Sequence, residues 1–244
     1  MCRHLVYLGP PVPLAALLVE PPYGLQHQSW APRDMRGGGT INVDGFGAGW
    51  YTPAGPMRYR RAMPIWSDRN FAALARVTEV SAVLAAVRSA TPGMTVTDDA
   101  CAPFTADGWF FSLNGFVAGW PDTMAKLAER LPVTDLLTMD APTDAAFVWT
   151  LVRNRLRAGY GPAEALRATA VEVSAAAAGS RLNLLLTDGE KAYATTYGHA
   201  LAVHHAAGRA LVASEPFDDD PGWVRVPDRR LVVAGPAAYT VEEL

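Results

Sequence analysis

The sequence predicts an α+β fold in which two β-sheets carry helices on their outer faces. Apolar strand-like runs dominate the first half of the chain, two long helical segments follow, and closely spaced strand-like runs end it. Strands and helices grouped in this way favour a layered α+β domain over a parallel sheet built from alternating elements. No proline- or serine-rich linker divides the 244 residues, so we expect a single domain spanning residues 2–244.

Apolar runs bounded by turn residues predict the strands of the first half, and apolar residues at helical spacing predict its helices. The predicted strands are residues 3–8, 46–52, 57–61, 81–88 and 109–113. The predicted helices are residues 13–20, 68–77 and 121–131.

Two long helices are predicted in the second half, at residues 143–158 and 161–178. In the first, Ala146, Trp149 and Val152 recur every three or four residues, and Thr143 can cap the first turn. Short strand-like runs then complete the chain at residues 182–187, 192–197, 200–205, 209–214, 231–234 and 238–241.

Composition and charge exclude several classes of function. Half of the residues are hydrophobic, so the chain is not disordered. The net charge of −3 leaves no basic surplus to displace counterions from a nucleic acid. No apolar run approaches the ~18–20 residues of a membrane span, and no secretory signature opens the chain. We therefore expect a cytoplasmic protein without nucleic-acid or membrane partners, and the sequence leaves its oligomeric state open.

The cysteines and histidines argue against a metal site. Four ligands at a standard zinc spacing are not available, and the adjacent His204 and His205 would point to opposite faces of a strand. We expect neither a metal nor a cofactor. Of the two cysteines, Cys101 fits best as a small buried apolar residue.

The position of Cys2 makes it a candidate nucleophile. If Met1 is removed, an α-amine and a thiol belong to the same residue, and both kinds of group titrate near neutral pH. The amine could take the thiol proton and later deliver it to a leaving amine. The alternative is a cysteine that stands at position 2 without a special role.

Three further segments could complete a site around this nucleophile. Arg88 ends an apolar strand, and a guanidinium suits bidentate carboxylate binding. Asn114 and Gly115 follow another strand on what reads as a tight turn, where a side-chain amide and a backbone N–H could form an oxyanion hole. An Asn-Gly pair could equally be a simple turn. Asp144 opens a helix, where it could complement the helix dipole or hold a substrate ammonium group.

Taken together, these motifs resemble the class II glutamine amidotransferases in order and rough spacing. The resemblance rests on Cys2, Arg88-x-x-Thr91, Asn114-Gly115 and Thr143-Asp144, and with further segments it covers nearly the whole chain. It implies an N-terminal-nucleophile hydrolase with a four-layer αββα sandwich. It further implies a role for each site residue: Cys2 as nucleophile with its α-amine as base, Asn114 and Gly115 as oxyanion hole, Arg88 and Thr91 on the substrate with Arg88 at the α-carboxylate, and Asp144 on the α-ammonium.

Within that family the sequence is most similar to the γ-glutamyl amidohydrolases of ergothioneine biosynthesis. The matching segments are residues 1–9, 44–51, 182–189 and 214–220. This implies hydrolysis of a γ-glutamyl amide, that of γ-glutamyl-cysteinyl-hercynine sulfoxide, through a cysteine thioester that releases glutamate. Ser89 and Ala102 stand where relatives commonly carry tryptophan and histidine, which implies a roomier site.

Two other functions remain open at this point. The chain could be a glutaminase subunit that supplies ammonia to a separate synthase, or an inactive protein that binds γ-glutamyl compounds. Some structural questions are also open. Residues 37–39 could be a lid or a surface loop, and residues 218–220 a solvated loop or part of the site. Four aromatic residues could pack in the core or at its rim, or could cage a trimethylammonium group: Tyr23, Trp30, Trp50 and Tyr51.

Overall fold

The computed structural model describes residues 2–36, 41–206 and 208–244. In this part of the chain, two antiparallel β-sheets face each other and helices cover the outer face of each sheet. Both sheets are apolar on both faces, so each face must be covered by another layer of the protein. The result is the four-layer αββα sandwich that the sequence predicts.

The described residues form thirteen strands and seven α-helices. The strands are β1 (Arg3–Pro13), β2 (Gly45–Thr52), β3 (Gly55–Arg61), β4 (Glu79–Arg88), β5 (Phe104–Ala106), β6 (Trp109–Phe116), β7 (Arg181–Thr187), β8 (Ala192–Thr196), β9 (Ala202–Ala206), β10 (Arg209–Ala213), β11 (Trp223–Arg225), β12 (Arg230–Ala234) and β13 (Tyr239–Glu243). The helices are α1 (Ala15–Leu18), α2 (Leu25–Gln28), α3 (Arg69–Val77), α4 (Ala125–Ala128), α5 (Val133–Leu137), α6 (Asp144–Arg157) and α7 (Pro162–Ala176).

The first sheet has the strand order β11-β9-β10-β1-β4-β2-β3, and the second has the order β13-β12-β8-β7-β6-β5. Every neighbouring pair is antiparallel. Side chains alternate between the two faces of each strand. In β1, Leu5 and Tyr7 pack under α1–α3, whereas Val6 and Leu8 pack against the second sheet. The same alternation places His4, and Cys2 before it, on the face toward the second sheet.

Helices α6 and α7 cover the second sheet, and both follow from local sequence. Thr143 caps α6 by accepting a hydrogen bond from the N–H of Ala146. Helix α7 begins with Pro162, whose missing N–H costs nothing in a first turn. Both helices were expected within two residues of their observed bounds. No helix in the described ranges is long and apolar enough to cross a bilayer.

Three expectations about the elements are wrong. β1 does not end at Leu8 but continues to Pro13 with a register shift, because Val12 and Pro13 pair again with β4. The helix expected at residues 121–131 is a 3₁₀ turn followed by the single turn of α4. Short elements of three to five residues were not expected, since such segments carry too little periodicity: α2, α5, β5, β11 and the 3₁₀ turns Ile65–Ser67 and Asp98–Ala100.

Candidate active site

The start of β1, the ends of β4 and β6 and the beginning of α6 meet at one end of the sandwich. Cys2 directly precedes β1, and the pairing of Arg3 with Val87 brings it beside Arg88 at the end of β4. One pocket there is lined by five of the six predicted residues, Cys2, Arg88, Thr91, Gly115 and Asp144, whereas the fully buried Asn114 is not part of its lining. Residues far apart in the sequence are thus brought together.

The two cysteines lie in different environments. Cys2 is partly exposed in the pocket as a free thiol, with its Sγ 3.8 Å from the carbonyl oxygen of Ser89. Cys101 is fully buried, and burial raises the pKa of its thiol to about 11. Its Sγ lies 3.4 Å from the carbonyl oxygen of Thr97. A thiolate is therefore disfavoured at Cys101, which agrees with its expected role as a small buried residue.

Asn114 and Gly115 do not form a turn. Both lie within β6, where they pair with Asn183 and Leu182 of β7. Gly115 has φ of 157°, and a Cβ on it would lie 1.8 Å from the carbonyl oxygen of Arg181. No other residue fits there, so strand pairing and not turn formation explains the glycine. The Asn114 side chain is buried between the sheets, and its Nδ2 donates to the hydroxyl of Ser214 at 3.2 Å.

Arg88 brings a buried positive charge to the pocket. Its side chain is largely withdrawn from solvent, and its Nη1 has no hydrogen-bond partner among the described residues. The turn after it is fixed by Asp44, whose carboxylate accepts a hydrogen bond from the N–H of Ala90 at 2.8 Å. A buried guanidinium nitrogen without a hydrogen-bond partner is costly. The arrangement is therefore suited to binding an anionic group.

Asp144 brings a buried negative charge to the same pocket. Its Oδ2 accepts a hydrogen bond from the N–H of Val117 at 2.9 Å, and its Oδ1 accepts one from the N–H of Ala145 at 2.8 Å. Burial raises the pKa of this carboxyl, while these hydrogen bonds and the charge of Arg88 act in the opposite direction. A carboxylate and a guanidinium in one pocket match the two charges of a free α-amino acid group.

A buried polar cluster next to the pocket was missed by sequence reasoning. The Nδ1 of His4 lies 3.2 Å from the Oγ of Ser112, and Ser214 contacts both His4 and Asn114. Burial lowers the pKa of His4 to about 3, so its imidazole is neutral at neutral pH. The sequence does contain a signal for this cluster, because His4 and Ser112 are polar residues within the otherwise apolar strands β1 and β6.

The four aromatic residues considered for a cage lie outside the pocket lining. Tyr23 stacks on the guanidinium of Arg33 at 3.9 Å, and Trp30 packs edge-on against Trp66. Trp50 packs against the core under α1–α3, and the hydroxyl of Tyr51 donates to the carbonyl of Thr187. Of the alternatives left open, these contacts favour packing in the core or at its rim.

The acidic residues 218–220 are tied to the edge of the first sheet. Asp218 accepts a hydrogen bond from the indole of Trp223, and Asp220 lies 3.2 Å from the Nε2 of His204. The neighbouring His205 points the other way, toward the carbonyl of Pro236. In the described part of the chain, no group of three or more metal-ligating side chains converges. Residues 37–39, considered as a lid, lie outside the described residues.

A groove of about 440 Å³ adjoins the pocket. It shares Thr91 and Met94 with the pocket and is further lined by Phe116 and Trp120, with no charged side chain. Ser89 and Ala102, both small, line the pocket itself. The site therefore continues from a charged pocket into an uncharged aromatic groove.

Comparison with solved structures identifies the fold. A glutamine aminotransferase class-II domain protein from Silicibacter pomeroyi matches over 99% of both chains, with a TM-score of 0.69 and 23% identity. The glutamine phosphoribosylpyrophosphate amidotransferase from B. subtilis matches all of this chain with 49% of its own, at a TM-score of 0.71 and 12% identity. At these identities the likeness establishes the fold alone.

Comparison of sequences identifies the family. No protein-family model matches the chain. A gamma-glutamyl-hercynylcysteine sulfoxide hydrolase from Mycolicibacterium smegmatis is 40% identical over the full length of both proteins. One from Mycobacterium tuberculosis is 38% identical, covering all of this chain and 97% of the relative. The chain therefore belongs to the family of the gamma-glutamyl-hercynylcysteine sulfoxide hydrolases.

Proposed function

We propose that this protein hydrolyses the γ-glutamyl amide bond of γ-glutamyl-hercynylcysteine sulfoxide, with Cys2 as nucleophile, and releases glutamate. The observation that carries the proposal is that one pocket brings a free thiol together with a buried guanidinium and a buried carboxylate. The relatives at about 40% identity support the same reaction.

The glutamyl group is the part of the substrate that the charges select. Its α-carboxylate would bind Arg88, whose Nη1 is otherwise without a partner, with Thr91 beside it. Its α-ammonium would bind Asp144, which would then stay ionised despite its burial. The γ-carbonyl carbon would thereby be held near the Cys2 thiol, since one end of the glutamyl group is fixed.

The reaction then needs proton transfer, attack and release. With Met1 removed, the α-amine of Cys2 would take the thiol proton, and the thiolate would attack the γ-carbonyl carbon. The N–H of Gly115 and an Nδ2 hydrogen of Asn114 would stabilise the oxyanion. The ammonium of Cys2 would return the proton to the leaving amine, which leaves a γ-glutamyl thioester. Water would hydrolyse the thioester, releasing glutamate and the free thiol.

The amine half of the substrate would occupy the groove beside the pocket. Phe116 and Trp120 offer aromatic surface to a trimethylammonium group, which such rings attract. A glutaminase must instead confine ammonia, whereas this site opens into a groove of about 440 Å³. The groove therefore favours a bulky leaving group over ammonia.

The test compares two substrates. The purified protein is incubated with glutamine and with a γ-glutamyl-cysteine conjugate that carries the hercynyl group, and glutamate release is measured. We expect a kcat/KM at least about 10²-fold higher for the conjugate, because remote binding energy lowers the barrier at the carbonyl. Equal or better turnover of glutamine would reject the hydrolase and favour a glutaminase subunit. The Cys2→Ala variant is the control for background hydrolysis.

We also propose that residues 2–244 act as one domain in the cytoplasm. The two free thiols, Cys2 and Cys101, suit a reducing compartment. The net charge of −3 supports a small-molecule substrate and not a nucleic acid.

A further inference from the structure

Ser214, which follows the last residue of β10, lies between two strands that carry proposed catalytic groups. Its Oγ accepts a hydrogen bond from the N–H of His4 at 2.9 Å and lies 3.2 Å from the carbonyl oxygen of His4. The same Oγ lies 3.2 Å from the Nδ2 of Asn114. Ser214 and Asn114 are both fully buried. One hydroxyl therefore joins the first sheet to the second beside the site.

The Ser214 hydroxyl has three hydrogen-bonding positions, and each can be compared with its neighbours. A serine hydroxyl has one hydrogen to donate and two lone pairs that accept. The His4 N–H uses one lone pair, and the Oγ lies 3.2 Å from the His4 carbonyl oxygen, which also accepts from the backbone N–H of Ser214 at 2.9 Å. The remaining lone pair accepts from the Nδ2 of Asn114, which is the amide atom that faces Ser214 at 3.2 Å.

This contact fixes the amide of Asn114. Among the described residues, the amide makes no other side-chain hydrogen bond, and its Oδ1 has no partner. An Nδ2 carries two hydrogens, so one bound to Ser214 leaves the second free for a substrate oxygen. Without Ser214 the amide plane could rotate. Ser214 also contacts the backbone of His4, which lies two residues after Cys2 and on the same side of the first sheet.

We propose that Ser214 is a positioning residue that holds the Asn114 amide in the orientation needed to stabilise the oxyanion. The inference rests on the proposed function, because it concerns a donor to the γ-carbonyl oxygen. Ser214 itself is two hydrogen bonds away from the reacting atoms and has no chemical role in the reaction. It couples the strand of the nucleophile to the strand of the oxyanion donor.

The test is a double-mutant cycle of Ser214→Ala and Asn114→Ala, assayed with the γ-glutamyl conjugate. Loss of one oxyanion donor typically lowers kcat about 10²–10³-fold. We expect Ser214→Ala to lower kcat about 10–100-fold while KM changes less than about threefold, because the glutamyl-binding charges are untouched. In the Asn114→Ala background the same change should cost less than about threefold, since the group that Ser214 positions is gone.

The control is Thr187→Val, which removes another buried hydroxyl with two backbone partners far from the pocket. That hydroxyl donates to the carbonyl of Lys191 at 2.7 Å and accepts from the N–H of Gly189 at 3.1 Å. We expect its kcat to match the wild type. If Ser214→Ala does not fold, Ser214→Cys fills the site with a slightly larger side chain that accepts hydrogen bonds weakly, and the same loss of kcat is expected.

Two results would overturn the inference: a kcat for Ser214→Ala within threefold of the wild type, or losses that multiply fully in the double variant. An NMR measurement tests it without turnover. The side-chain NH₂ signals of Asn114, identified by their absence in Asn114→Ala, should shift in Ser214→Ala, and unchanged signals would also overturn it. Failure of the wild type to hydrolyse the conjugate would reject the proposed function instead, so the two failures are distinguishable.

Discussion

Replacing Arg88 with alanine tests glutamyl recognition most directly. The side chain is 8% exposed, and its Nη1 has no partner among the described residues, so the substrate carboxylate would provide the missing one. Removing one member of a desolvated charge pair typically costs about 3–5 kcal/mol. Since 1.4 kcal/mol corresponds to a factor of ten, kcat/KM should fall at least about 10²-fold.

A second effect of the same substitution has a known sign. The charge of Arg88 lowers the pKa of Asp144, against the upward effect of burial. Without Arg88, the Asp144 carboxyl would take up a proton at a higher pH, and ammonium binding would weaken with it. The assay is therefore run at several pH values, because a loss that stems from protonation of Asp144 should shrink as the pH rises, whereas the loss of the carboxylate contact should not.

The assay uses two substrates and two comparison variants. The γ-glutamyl conjugate is compared with an analogue that lacks the α-carboxylate. The wild type should have a lower kcat/KM for the analogue, whereas Arg88→Ala should process the two substrates equally. Arg88→Lys keeps the charge but loses the planar fork, so an intermediate loss is expected. Arg155→Ala is the matched control. It also removes an arginine side chain, but Arg155 contacts Thr169 between α6 and α7, through a 2.9 Å hydrogen bond, and does not line the pocket. A fall of less than about fivefold for Arg88→Ala would place the carboxylate site elsewhere.

Three further predictions concern Cys2, Asp144 and His4. Active protein should lack Met1 by intact mass, and Cys2→Ala should bind substrate in calorimetry yet release no glutamate; full activity with Met1 retained would reject the α-amine as base. In Cys2→Ala protein, substrate affinity should fall as pH drops through the raised pKa of Asp144, and Asp144→Asn should bind weakly without that dependence. The pKa of His4 is lowered to about 3 in the folded protein. Its contribution to the free energy of unfolding is therefore fully present above pH 6.5 and is lost as the pH falls toward 3. Between pH 7 and 5, His4 alone should lower the free energy of unfolding in urea by about 2 kcal/mol. The same pH dependence in His4→Gln as in the wild type would contradict this role of His4.

The sequence predicts those parts of the molecule that local chemistry determines. Helix α6 follows from its periodic apolar residues and the Thr143 cap, and Asp144 is placed with it. Arg88 is predicted to emerge at a strand end because an apolar run stops there. Asn114 and Gly115 were misplaced because Asn-Gly favours turns locally, whereas pairing with β7 holds both residues in a strand. Ser214 was missed as a site residue because its contact with Asn114 depends on how two sheets stack.

The location of Gly115 inside β6 has a consequence for the energetics of catalysis. A donor on a flexible loop must be ordered each time substrate binds, and that loss of conformational entropy weakens binding. The Gly115 backbone is already held by its ladder partner Leu182, so its dihedral angles are fixed when the chain folds. For this proposed oxyanion donor, the entropic cost belongs to folding and is not repeated in each turnover.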